Sequence, residues 1–231
     1  EFKLWSEVVD AGWTPPPDAP FSRLIVPTQD TERNKYIMVH LLEKHMPFLV
    51  VGATGTGKTV LVQQLLDGLT RETWGRLTLN FSAATNSKTV QDIMEGALEK
   101  KSKDKMGPPG GRRLVVFVDD LNMPKKDEFG SQPPLELLRQ WIGYGGWYDR
   151  SKQSWKHIVD IQLACAMGPP GGGRTVISER LQSCFSVINF TFPGEKEVQH
   201  IFEAILRPSL SIEAGFAEEV ADSVPALVAM T

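Results

Sequence analysis

Short apolar runs alternate with amphipathic stretches along most of this chain, and that alternation predicts a sheet flanked by helices. Pro47-Phe48-Leu49-Val50-Val51 and Leu114-Val115-Val116-Phe117-Val118 are continuous apolar segments of strand length, the pattern of strands buried on both faces. Leu77-Thr78-Leu79-Asn80-Phe81 alternates, Ile158 to Ala166 forms a further strand, and Val187 to Phe192 forms the last. Between them apolar residues recur at helical spacing. Asp30 or Thr31 caps a helix to about Lys44 that carries Ile37, Val39, Leu41 and Leu42. Val60 to Leu69 carries Leu61, Leu65, Leu66 and Leu69, and a third helix runs from about Thr89 to Lys101. Pro133-Pro134 opens one with Leu135, Leu137, Leu138 and Trp141, and Ile177 to Phe185 is a short one. Pro193-Gly194 begins a helix through Val198, Ile201, Phe202, Ile205 and Leu206, which Arg207-Pro208 ends.

The remaining segments punctuate this order. Leu4, Trp5, Val8 and Val9 give residues 1–13 the pattern of a short amphipathic helix, and residues 14–20 hold too much proline for anything but an extended connector. Lys100-Lys101-Ser102-Lys103-Asp104-Lys105 and Arg112-Arg113 bracket a Gly-Pro-rich loop, read as a solvated surface insert. Trp147-Tyr148-Asp149 and Ser154-Trp155-Lys156 flank a polar turn, which predicts a small hairpin with packing aromatics. The loop from Met167 to Arg174 echoes the one from Met106 to Gly111, two similar loops rather than a duplicated domain. The expected fold is α/β, a parallel sheet covered by helices on both faces in three layers, followed by the start of an all-helical small domain. Residues 1–20 would be an N-terminal helix and connector, 21–192 the main domain, and 193–231 the truncated helical one.

Chemistry enters where the first apolar strand ends. Gly52-Ala53-Thr54-Gly55-Thr56-Gly57-Lys58-Thr59 is Gly-x-x-x-x-Gly-Lys-Thr, and it lies between a predicted strand and a helix starting at Val60. That context marks a phosphate-binding P-loop. The glycines let backbone N–H groups point inward, the new helix adds its orphan N–H donors, Lys58 supplies a point charge for β- and γ-phosphates, and the Thr59 hydroxyl is a ligand for Mg²⁺. The second informative stretch ends the second apolar strand with Asp119-Asp120. A parallel strand delivers such carboxylates to its C-terminal edge, where ligands of open α/β sheets bind. Asp119 would hold Mg²⁺ opposite Thr59, the arrangement of a Walker B element. The bland readings, a glycine-rich turn and an acidic turn, lose ground because the two features occur together.

Bulk properties narrow the classes. The 231 residues are 41% hydrophobic, enough for one sizeable core. A net charge of −3 gives no basic footprint for nucleic acid. No apolar run approaches the roughly 18 residues of a membrane span, and no charged-then-apolar leader is present. Cys165 and Cys184 lack metal-type spacing, so a reduced intracellular chain is the simplest expectation. His40, His45, His157 and His200 do not cluster with cysteines or acids, and Cys184 has no paired base that would make it a nucleophile. The opening on Glu1 and the stop at Thr231 inside a helical pattern suggest a piece of something longer.

Val26-Pro27-Thr28, the P-loop, Phe117-Val118-Asp119-Asp120-Leu121-Asn122-Met123-Pro124, Gly146-Trp147-Tyr148-Asp149 and the loop Met167 to Arg174 together resemble the AAA+ ring of a dynein heavy chain. The likeness runs from about Pro20 to Leu210 and is greatest to the third of the six AAA+ modules in the axonemal, ciliary class. It implies a module that binds ATP or ADP with Mg²⁺ and mainly regulates a microtubule motor of the cytoplasm, cytoskeleton and cilium or flagellum axoneme. Ile25, Val26, Pro27 and Thr28 match the segment that holds adenine. Gly52, Ala53, Thr54, Gly55, Thr56, Gly57, Lys58, Thr59 and Val60 match the phosphate site. The basic loop at 100–113 and the 147–155 hairpin match inserts presented to the linker. Arg180 matches the arginine finger that reaches a neighbouring module of the same heavy chain. The microtubule would be reached only through the full motor, and neither nucleic acid nor membrane is implied.

Two departures bear on catalysis. The residue after the Mg²⁺ aspartate is usually glutamate, which polarises the attacking water; here it is Asp120, one methylene shorter. Misplacement by about 1 Å can cost roughly 100-fold in rate. The strand ending Ala164-Cys165-Ala166-Met167 also lacks the usual first-sensor asparagine. Tight binding with slow or no hydrolysis is therefore expected of this stretch alone. The rival readings are an ATPase made competent by a neighbour's arginine, a switch that signals by occupancy, and another P-loop GTPase or kinase. Asn34-Lys35-Tyr36-Ile37 fails the base-reading pattern of a GTPase at its last position, and no arginine-rich kinase lid is evident.

Overall fold

The computed structural model describes residues 3–9, 12–16, 20 and 24–230. Its chain forms two compact units, residues 38–191 and residues 1–37 with 192–231.

In the first unit, five strands lie in the order β2-β5-β8-β1-β9: β2 (Trp74–Asn80), β5 (Arg113–Asp119), β8 (Ile161–Met167), β1 (Phe48–Gly52) and β9 (Ser186–Phe190). All four pairings are parallel. The register aligns Asn80 with Asp119, Val51 with Met167 and Gly52 with Phe190, so the C-terminal ends share one edge. Residues 114–118 are buried throughout, as the continuous apolar run predicts for a strand covered on both faces. Alternate side chains serve different layers. Leu114, Val116 and Val118 join Leu49, Leu163 and Cys165 in a cluster with Val90 and Met94 of α4 (Ser87–Gly96), Leu138 and Trp141 of α5 (Pro133–Tyr144), and Leu181 of α6 (Glu179–Gln182). Outside that cluster α3 (Lys58–Asp67) packs on β1 and buries Leu61, Val62, Leu65 and Leu66. The buried Gln162 of β8 donates to the carbonyls of Leu41 and Met46 at 3.0 and 3.1 Å, tying in the C-terminal end of α2 (Gln29–Glu43). The three-layer P-loop fold expected from the sequence is the one present.

A second sheet corrects the reading of the two inserts. The helix predicted to reach Lys101 stops at Gly96, and the chain turns into β3 (Glu99–Lys100) and β4 (Lys105–Gly107). These join β6 (Gly146–Tyr148) and β7 (Trp155–Ile158) in the order β3-β4-β7-β6, with β4 and β7 parallel. The basic loop and the aromatic hairpin are therefore halves of one sheet. The strand predicted over 158–166 is divided by Asp160, whose φ of +58° turns the backbone between β7 and β8.

Other boundaries differ locally. α4 begins at Ser87 because Asn86 caps it, its Oδ1 accepting from the Thr89 N–H at 2.9 Å. α6 is four residues long rather than spanning 177–185, with Ser178 as its cap.

In the other unit Thr28, not Asp30 or Thr31, starts α2. Thr28 and Thr31 exchange backbone-to-hydroxyl bonds of 2.7 and 3.2 Å. The N-terminal amphipathic pattern yields α1 (Trp5–Val8), whose Trp5 meets Tyr36 edge-on. Residues 1, 2, 10, 11 and 17–19 of the predicted helix and connector fall outside the described residues. α7 (Glu195–Ser209) continues past Pro208, and α8 (Val224–Ala229) packs on it with Val224 and Val228 buried. Among the described residues no helix is long and apolar enough to cross a membrane.

Candidate nucleotide site

The loop from β1 to α3 has its shape fixed by close approach and by backbone sign. A Cβ on Gly52 would lie 2.4 Å from the Phe190 carbonyl oxygen, so only glycine lets β9 pass beside the start of the loop. Gly57 precedes α3 with φ +78°, a conformation that side chains disfavour, and has no side chain with which to cap the helix. The first N–H groups of α3 are thereby left facing the loop, where they can meet an anion. The Ala53 carbonyl gathers the loop inward, accepting from the Thr56 hydroxyl at 2.9 Å and from Lys58 Nζ at 2.7 Å. Burial draws the Lys58 ammonium below its ordinary pKa; Asp119 and Asp120 oppose this, and the charge of Arg174 adds to it.

The sheet register carries Asp119 to the same place. Its Oδ2 accepts a 2.7 Å bond from the Thr59 hydroxyl, and its Oδ1 accepts from the Asp120 N–H at 2.9 Å. Hydroxyl and carboxylate are thus adjacent, the hard-oxygen donor pair that suits Mg²⁺. Among the described residues no group of three or more His, Cys, Asp or Glu is arranged to hold a metal. The donor set fits a magnesium nucleotide: backbone N–H groups and Lys58 for phosphate, Thr59 and Asp119 for the ion.

Asp120 adopts a left-handed backbone at φ +53°, costly for a residue with a side chain, and its half-exposed carboxylate faces Arg174 across 3.5 Å. Arg174 is a residue that motif reading passed over, using its loop only as a family marker. What could have found it is an arginine following three glycines just beyond the end of a central strand. The loop it ends is joined to the turn after Asp120. Asn122 is fully buried, its Nδ2 donates to the Gly168 carbonyl at 2.8 Å, and its own carbonyl accepts from the Thr175 N–H and hydroxyl. Gln132 completes the brace by donating to the Pro124 carbonyl and the Thr175 hydroxyl.

The structure therefore brings Gly52 to Val60, Asp119 and Asp120 together. Arg180 is exposed on α6. Ile25, Val26, Pro27 and Thr28 belong to the other compact unit, where Val26 and Thr28 are buried.

Residues 13–193 match the family model described as the P-loop containing dynein motor region. The chain is 51% identical over 223 residues to dynein axonemal heavy chain 2 of Mus musculus, covering 95% of this chain and 5% of that one. It is 46% identical over 216 residues to the dynein-1-beta heavy chain, flagellar inner arm I1 complex, of Chlamydomonas reinhardtii, covering 94% and 5%. With dynein axonemal heavy chain 6 of Homo sapiens the identity is 44% over 209 residues, covering 90% and 5%. The chain spans about 5% of the length of these relatives.

Proposed function

Since the chain belongs to the family of P-loop containing dynein motor regions, we propose that it is a nucleotide-binding AAA+ module of an axonemal dynein heavy chain, the third in the ring. It holds ATP or ADP with Mg²⁺ and regulates the motor chiefly by occupancy. The observation that carries this reading is the 2.7 Å bond from Thr59 to Asp119, which joins the P-loop to the end of β5. Backbone N–H groups of Gly55 to Val60 cradle phosphate, Lys58 leaves the Ala53 carbonyl for it, and Thr59 with Asp119 holds the ion. When bound, the ion held by Thr59 and Asp119 would supply positive charge to neutralise the phosphates. Ile25 to Thr28 receive adenine, and Arg180 serves the adjacent module. The linker contacts the four-stranded sheet, and the module acts on the microtubule only through the whole motor in the cilium or flagellum axoneme. Residues 21–192 are the nucleotide-binding domain and 193–231 the beginning of its helical lid.

Slow turnover follows from Asp120, which is one methylene shorter than the usual glutamate and held in a left-handed backbone. Thermal unfolding tests the binding claim. ATP or ADP with Mg²⁺ at 100 times the dissociation constant should stabilise the chain by about 2.7 kcal/mol, raising Tm by roughly 5–10 °C at this size. GTP should do much less, and Lys58→Ala should remove most of the shift. Equal stabilisation by GTP would refute the adenine reading. Phosphate release by a whole ring in which only this site is intact tests the regulatory claim, and rapid release would favour a competent ATPase instead.

A further inference from the structure

We propose that Arg174 is the residue by which this site distinguishes a nucleoside triphosphate from a diphosphate, its guanidinium exchanging Asp120 for the terminal phosphate. The inference rests on the nucleotide reading above and adds a residue and a selectivity to it.

Topology places the arginine. β8 lies between β5 and β1, so the loop following Met167 leaves the sheet between Asp119 and the P-loop. β8 itself brings no charged or hydrogen-bonding side chain to that point, since it ends Ala164-Cys165-Ala166-Met167. The loop then doubles back. Gly171 and Arg174 exchange backbone bonds of 3.0 Å in each direction, and Gly171, Gly172 and Gly173 all have positive φ. With Gly168 and Thr175 both held by Asn122, the loop has little freedom to swing Arg174 away. Its side chain lies back over Gly168, so closely that a Cβ there would come within 2.7 Å of Nε and 2.8 Å of Cδ.

The guanidinium is under-used where it sits. Among the described residues its single ion pair is the 3.5 Å contact from Nη2 to Asp120, and its buried Nε has no hydrogen-bond partner there. A planar fork with five donors fits phosphate oxygens better than one distant carboxylate. Arg174 contacts Asp120, and the adjoining Asp119 is bonded to Thr59, the residue after Lys58, so both cations lie beside this one pair of aspartates. Two cations brought together by separate loops suit a ligand more highly charged than a carboxylate. In the nucleotide reading the P-loop amides serve the inner phosphates and Lys58 lies between the β- and γ-phosphates, leaving γ-oxygens for a further donor. Arg174, arriving from the side of Asp120, is placed for the outer one. If its role were only to neutralise Asp120, its replacement would treat ATP and ADP alike.

Equilibrium binding of ADP and of ATPγS, each with Mg²⁺, to the 231-residue chain decides between these. In Arg174→Gln, affinity for ATPγS should fall about tenfold or more while that for ADP stays within about twofold, as expected for loss of a charged hydrogen bond to one phosphate. Arg174→Lys should recover part of the loss, and its thermal unfolding without nucleotide guards against misfolding. Gly168→Ala keeps the arginine but pushes it off its seat, and should reproduce the selective loss. Equal effects on both nucleotides, or no effect on either, would overturn the proposal. Failure of the unaltered chain to bind either nucleotide would instead defeat the nucleotide reading itself, and the proposal with it.

Discussion

The two sheets of the larger unit are built on opposite plans. The parallel sheet takes its strands from apolar runs, and residues 114–118 of β5 have no exposed member. The four-stranded sheet takes two- to four-residue strands from segments far apart in the chain and is held by a polar knot. Trp147 is fully buried, yet its Nε1 donates to Glu95 of α4 at 2.8 Å. Lys156 of β7 bridges Glu95 and Asp149 at 2.7 and 2.8 Å, and Gln91 donates to both Glu95 and the Tyr148 carbonyl. The first sheet is a platform that hydrophobic burial makes stable and that fixes where its strand ends, and so the site, must lie. The second is fastened to that platform by a few directional bonds in addition to Trp147 and Ile158, which are buried in the same apolar cluster as β5 and β8. Such a device can loosen without the platform melting.

The largest expected effect tests the platform. Phe117 in β5 is fully buried and aligned with Ala164 of β8, a small neighbour unable to fill a void. Phe117→Ala should cost about 3–5 kcal/mol, seen as a lower denaturant midpoint with every protected amide of both sheets exchanging sooner. A loss confined to the parallel sheet would mean that the second sheet stands alone.

The same contrast explains what could be read from residue order. The run ending in Asp119 announces a buried strand and its carboxylate, and Gly52 to Thr59 announces the loop, because each signal is local. The second sheet has no such signal. Lys100 and Lys105 look like a solvated charge run, yet lie in paired strands, Lys100 opposite Met106 and Lys105 opposite His157, which is remote in sequence. Asp160 looks like one polar residue within a strand, and only its left-handed backbone shows that it divides two. Arg174 was invisible for a related reason. Its glycine-rich loop carries no period, and what matters is where the folded loop returns.

A smaller effect should isolate the fastening. Lys156→Met keeps the stem of the side chain and removes its ammonium, leaving the Glu95 carboxylate with Gln91 and Trp147 as its donors. With both partners about one-fifth exposed, the expected cost is about 1 kcal/mol or less, near the range of solvent-screened pairs. Hydrogen exchange should quicken in β3, β4, β6 and β7 while β1, β5 and β8 keep their protection. Uniform loss across both sheets would break the distinction drawn between them.

The smallest effect is the acid dependence of that same knot. Burial acts to raise the Glu95 carboxyl, but bonds from Lys156, Gln91 and Trp147 outweigh it and hold the group below its ordinary 4.5. The hydrogen bond from Lys156, then that from Ser151, holds Asp149 well below the usual carboxylate range. Both groups are depressed by folding, so their contribution is complete above the unfolded pKa values. It is lost as the pH falls through the folded ones, because the unfolded chain takes up protons first. Protection factors in the second sheet should therefore decline below about pH 4.5 before those of the parallel sheet do. Lys156→Met should flatten that decline, since the carboxylates it leaves have less reason to resist protonation. A decline of equal steepness in the variant would place the acid-sensitive contact elsewhere and leave Lys156 as packing alone.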